Sequence, residues 1–198
     1  MLRRIRALLA REQGYSLVEL VTVCAILSVV LGALTTVFVS ASNGELGMNR
    51  RFQAQESARL AIDKLRREIH CASAVSPSGS ASSIVLTIPA QCPTAQGFTS
   101  IRWCVLQPPA APSGRYALYR STAATCTTAN GVKWADYLRT QPIFSYTAQS
   151  SQSLGNLAVA LVVNVRQNST PGTFKLNDNI VLRNSARLCI VGSPAPPC

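Results

Sequence analysis

Leu20 to Val39 carry no charge, and a glutamate, Glu19, stands immediately before them. This run constrains the chain more than any other feature. About 20 apolar residues suffice to cross a bilayer as a helix. Only a helix or a closed barrel satisfies every backbone group in lipid. A carboxylate at the head of such a run is costly. A charge at the centre of a membrane helix costs roughly 3 kcal/mol on insertion scales, and less near an interface. A segment that had only to span a membrane would have no use for Glu19, so it is a functional residue in search of a partner. Arg3, Arg4, Arg6 and Arg11 precede the run, whereas only Arg50 and Arg51 lie close behind it. The positive-inside rule then places the leader in the cytoplasm and the carboxyl-terminal part outside.

Three ordinary readings fit less well. A secretory signal peptide cut after Val39-Ser40-Ala41 has small residues at the right offsets. Its apolar region would however run about 7–15 residues, shorter than this one. A plain single-pass anchor explains the length but neither Gly14 nor Glu19. A lipoprotein modified at Cys24 is disfavoured by the bulk of Val23.

The stretch Gly14-Tyr15-Ser16-Leu17-Val18-Glu19-Leu20 resembles the amino-terminal signature of type IV prepilins and type II secretion pseudopilins. The resemblance covers about the first third of the chain. Tyr15, Ser16 and Val18 stand where phenylalanine, threonine and isoleucine are common in that family. It implies cleavage by a prepilin peptidase between Gly14 and Tyr15, and N-methylation of Tyr15. It also implies a role for Glu19 in filament assembly, pairing with the methylated amino terminus of an adjacent subunit. The expected organisation is a leader peptide at 1–14, a transmembrane and filament-core helix at 15–41, the amphipathic half of the same helix at 42–74, and a β-rich, disulfide-containing head at 75–198. Cys24, inside the apolar run, reads as a buried small hydrophobe.

Beyond the apolar run the helix changes character. Ala58, Ala61, Ile62, Leu65, Ile69 and Ala72 recur at three- and four-residue steps and form one apolar stripe. Arg59, Asp63, Arg66, Arg67 and His70 occupy the other faces, and Asp63 precedes Arg67 by four, a favourable helical pair. His70 reads as a solvated or capping residue. A stripe of this kind needs a sheet to cover it. Strands are expected at Ile84–Ile88, Ser100–Gln107, Arg115–Ser121, Ile143–Thr147 and, most clearly, Leu157–Val165, where apolar residues alternate. Ser76 to Ser80 reads as a loop and Pro108 to Gly114 as the loop of a hairpin. A final hairpin is expected from Thr173–Leu176 and Asn179–Arg183 over Asn177-Asp178. The fold class is therefore α+β: a long N-terminal helix packed on a small antiparallel sheet. Ile180-Val181-Leu182-Arg183-Asn184 and Arg66-Arg67-Glu68-Ile69 further resemble J-type pseudopilins and PilW-type minor pilins, which implies a minor subunit.

Of seven cysteines, six follow the apolar run. An even set on one side of a membrane points to an oxidising compartment and a disulfide framework. Six allow 15 pairings; chain proximity favours Cys71 with Cys92, Cys104 with Cys126, and Cys189 with Cys198. The chain has one histidine and, after Ala74, only Asp136 and Asp178 as acids. There is no P-loop, GxGxxG or CxxC, and the cysteine spacing matches no zinc ribbon. No catalytic residue, metal or cofactor is expected, and the chain does not read as an enzyme. From Val75 onward nine basic residues face two acids. That charge excess permits salt-dependent contact with DNA, with Trp103, Tyr116, Tyr119 and Trp134 as candidates for stacking. The expected role is a minor pilin or pseudopilin in the cytoplasmic membrane, head outside, then a cell-surface or periplasmic filament. Its partners would be other pilin or pseudopilin subunits, the prepilin peptidase and the membrane. The alternative is an anchored or secreted, disulfide-stabilised binding module.

Overall fold

The computed structural model describes residues 16–93, 97–150, 153–166 and 172–184. The order is one helix, α1 (Leu17–Cys71), then nine strands: β1 (Ala74–Ser76), β2 (Gly79–Ala81), β3 (Ser83–Thr87), β4 (Ser100–Leu106), β5 (Tyr116–Ser121), β6 (Val132–Leu138), β7 (Phe144–Thr147), β8 (Asn156–Val163) and β9 (Phe174–Val181). The chain divides into two compact units, Met1–Gly47 and Met48–Cys198. In the first, α1 runs through Gly32 and Gly44 without a break.

The second unit is the head. Its part of α1 buries Ala54, Ala58, Ala61, Ile62, Leu65 and Ile69. Three alanines on that stripe let the helix backbone come close to the sheet, while Ile62, Leu65 and Ile69 fill the space between. The strands form one antiparallel sheet in the order β1-β3-β4-β5-β6-β8-β7-β2, with β9 on the other side of β8. Alternate residues Leu157, Val159, Leu161 and Val163 of β8 join Ile84, Leu86, Ile101, Trp103 and Leu118 in the core against the helix. This is the α+β arrangement expected of the stripe.

A smaller apolar cluster lies on the other face of the sheet. Cys104, Ala117 and Tyr119 pack there with Leu106 and Cys126. The loop after β5 is tied down by Cys104–Cys126, with Cα atoms 6.4 Å apart. Asn130 braces it: its Oδ1 accepts from the Thr127 N–H at 2.9 Å and its Nδ2 donates to the Thr125 carbonyl at 3.0 Å. The turn closes tightly enough that a Cβ at Gly131 would stand 2.9 Å from the Thr127 carbonyl oxygen.

Five sequence expectations change. The helix ends at Cys71, short of Ala74, where the Asn184 side chain donates to the Cys71 carbonyl at 2.7 Å. Ser76 and Gly79–Ser80 belong to the short edge strands β1 and β2 rather than wholly to a loop. Asn177-Asp178 is not a turn. β9 passes straight through it, paired with β8 residue for residue from Phe174↔Val163 to Val181↔Asn156. Asp178 is tolerated in the strand because Arg66 of α1 holds its carboxylate at 2.8 Å. Arg66, not Arg67, also takes Asp63, at 3.3 Å. Finally, β6 was not foreseen. Its pairing with β5 shifts register twice, between Tyr116 and Leu118 and between Leu118 and Tyr119, and Tyr137 sits at φ 60°. Each bulge moves the next side chain to the opposite face, which erases the two-residue period on which strand reading depends.

Candidate functional site

The site lies in the first unit, and its local chemistry follows from the sequence. Ser16 to Leu46 are exposed along their whole length. The most apolar 18-residue window of α1 has a mean hydropathy of 2.5 with none of it buried, so this helix is long and apolar enough to cross a membrane. Four of its hydroxyls turn back onto the helix. Thr22, Ser28, Thr35 and Thr36 donate to the carbonyls of Glu19, Ala25, Leu31 and Ala33 at 2.7–2.9 Å. Each hydroxyl thereby satisfies its donor within the helix, which makes the surface more compatible with lipid or with another apolar helix. Cys24 is a free thiol and exposed, not buried, within this chain alone.

Glu19 occupies the first turn of α1. Position there gives it a favourable interaction with the helix dipole, worth about 0.3–1 kcal/mol at an exposed terminus. Among the described residues no basic group stands within ion-pair distance of it. The dipole term alone would not offset the cost of placing a carboxylate in a fully apolar environment. Gly14 and Tyr15, the expected cleavage and methylation positions, lie outside the described residues.

The head holds a second charged arrangement, which sequence reasoning missed. Glu68 is fully buried on the apolar stripe. Its Oε1 accepts from Arg120 Nε at 2.8 Å and lies 3.4 Å from Lys64 Nζ, while its Oε2 accepts from Trp103 Nε1 at 2.8 Å. Trp103 and Arg120 are cross-strand partners on β4 and β5, so one carboxylate pins the helix to two strands at a fixed register. The signal was present: Glu68 lies three residues after Leu65 and one before Ile69, inside the stripe. A further cluster joins β5 to β6. Arg115 and Lys133 bind Asp136 at 3.0 and 2.9 Å, and Arg115 stacks 3.8 Å from the Tyr137 ring centre. Burial pushes the Asp136 carboxyl upward. Hydrogen bonds from Lys133, the Tyr137 N–H and Arg115 outweigh it and hold the group below its usual value.

These contacts bear on nucleic-acid binding. Arg115, Arg120 and Lys133 are engaged by Asp136 and Glu68 inside the head. Trp103 and Tyr119 are buried, so neither is available to stack on a base. Two cysteine pairs stand at bonding distance, Cys71–Cys92 and Cys104–Cys126. Cys189 and Cys198 lie outside the described residues. Among the described residues no group of histidine, cysteine and carboxylate side chains could hold a metal ion.

The family model described as the prokaryotic N-terminal methylation motif matches residues 9–35. Neither a curated protein nor a solved structure matches the chain. The matched stretch contains Gly14, Tyr15 and Glu19 and the apolar run from Leu20 to Thr35. It indicates a type IV pilin-like signal on the chain, of a kind carried by structural rather than catalytic proteins. That signal and the membrane-capable N-terminal helix fit membrane anchoring with the head outside the cytoplasm.

Proposed function

We infer that the protein is a minor pilin or pseudopilin, a structural subunit that enters a type IV pilus or type II secretion-like filament through the apolar half of α1. The observation that carries this reading is the exposed apolar half of α1 with a carboxylate in its first turn that has no ion-pair partner among the described residues, at a position inside the methylation-motif match. In the membrane, lipid covers Leu17 to Val39. On assembly, neighbouring helices replace lipid, and Glu19 pairs with the methylated Tyr15 amino group of an adjacent subunit after a prepilin peptidase has cut at Gly14. Charge pairs in apolar surroundings are better attested for setting register than for adding stability. The segment at 180–184, where β9 ends, and the helix segment at 66–69 favour a minor subunit of the J-type or PilW-type kind.

Shearing tests the role. Filaments sheared from cells should contain the head, detected with an antibody to it, and the signal should vanish in a strain lacking prepilin peptidase. A head found only in the culture supernatant as a free monomer, with or without the peptidase, contradicts the reading and favours a secreted binding module.

The framework of the head gives a separate expectation. A disulfide closing a loop of some 15 residues contributes about 3 kcal/mol in the chain-entropy model. The six cysteines beyond the apolar run should therefore be oxidised in native material. Alkylation without reductant should label Cys24 alone. Labelling of Cys71, Cys92, Cys104 or Cys126 would contradict an oxidising compartment.

A further inference from the structure

β9 is the long edge of the sheet. The other terminal strands, β1 and β2, are three residues each, whereas β9 has eight. It pairs with β8 in unbroken register, with no bulge. The direction of its backbone groups follows from the alternation of an antiparallel ladder. The Leu182 N–H donates to the Gly155 carbonyl at 2.8 Å, so Phe174, Leu176, Asp178 and Ile180 also point their N–H and C=O toward β8. Lys175, Asn177, Asn179 and Val181 point theirs away. Of these, the Val181 carbonyl accepts from His70 Nδ1 at 3.0 Å. Lys175, Asn177 and Asn179 are exposed, and among the described residues β9 pairs with β8 alone. Edge strands are ordinarily blunted by a proline, a bulge, a short length or a cover. β9 has no proline or bulge, and among the described residues its defences are Lys175, the Arg66-bound Asp178 and the His70 contact at its end.

We propose that the outer edge of β9 accepts an extended, acidic segment of another polypeptide as an added strand. Main-chain hydrogen bonds from Lys175, Asn177 and Asn179 would supply affinity, and alternate side chains would supply choice. The charge around the edge sets the sign. Lys175 is exposed on it, Arg59 lies over the Phe174 ring at 5.5 Å, and Arg183 follows it. The nearby carboxylates, Asp178 and Asp63, are both bound to Arg66. Contacts of Arg59 with Phe174, Arg66 with Asp178 and His70 with Val181 show that β9 runs in the same direction as α1. A two-fold, antiparallel pairing of β9 with its own copy would therefore set the 59–70 helix segments of the two chains antiparallel. The proposal does not rest on the filament reading, since an anchored binding module would present the same edge.

The test uses the full chain in detergent micelles and a synthetic peptide of alternating valine and glutamate as long as β9. Amide hydrogen exchange at Lys175, Asn177 and Asn179 should be fast in the free protein and slow by about tenfold or more at saturating peptide, as for amides newly placed in a ladder. The same peptide with its alternate amides N-methylated, or with lysine in place of glutamate, should give no slowing. Asn177→Pro removes an N–H that faces away from β8, so it should leave the β8–β9 ladder intact and abolish the slowing. Slow exchange at these three amides without peptide, no slowing with it, or equal slowing with either control peptide would overturn the proposal. The peptide controls decide the matter even if the proline variant does not fold.

Discussion

Arg120→Ala should destabilise the head by about 3–5 kcal/mol, the cost of leaving a buried charge without its main partner. Glu68 is wholly inaccessible and cannot turn to water when the guanidinium is gone. Glu68→Gln should cost less, about 1–3 kcal/mol. The amide still accepts from Trp103, and Arg120, whose side chain is 16% exposed, can extend toward solvent. Lys64→Ala should cost about 0–1 kcal/mol, as expected for a partly exposed i,i+4 pair. Denaturant unfolding of the oxidised protein, followed through tryptophan fluorescence, measures all three. An Arg120→Ala cost no larger than that of Lys64→Ala would show that the Glu68 contact does not hold the helix to the sheet.

Glu19→Ala should lower incorporation into filaments at least about tenfold while leaving the head's stability unchanged. Couplings of close, desolvated charge pairs run from about 1.5 kcal/mol upward, and each 1.4 kcal/mol is about tenfold in an equilibrium. The competing effects are smaller or of opposite sign. The lost dipole interaction is below about 1 kcal/mol, and removal of the carboxylate makes membrane insertion easier. Glu19→Gln should behave like the alanine variant, because the deficit arises from the charge. The ratio of sheared to membrane-bound protein reads the effect. Parental incorporation by both variants would remove the proposed pairing with an adjacent amino terminus.

The elements that could be read from the sequence are those where one periodicity runs without interruption. The stripe from Ala58 to Ala72 and the alternation from Leu157 to Val163 each face a single core, so the pattern survives in the residues themselves. β6 was illegible because its bulges reverse the side-chain alternation. β9 was misread because Asn177-Asp178 carries turn chemistry, and its extended form depends on β8 and on Arg66, far away in the chain. The same holds for the charged groups. Glu19 stands out because it heads a run of twenty residues without a charge, Leu20 to Val39. Glu68 was passed over because its partners, Trp103 and Arg120, come from strands 35 and 52 residues away. The pairs Cys71–Cys92 and Cys104–Cys126 are close in sequence, 21 and 22 residues apart, which is why proximity alone favoured them.

The mass of the mature amino terminus tests the central claim most directly. Intact-mass and peptide spectra of protein taken from the native membrane should show a chain beginning at Tyr15 and carrying one methyl group on its amino nitrogen. A chain beginning at Ser42, or one that retains residues 1–14, would contradict it.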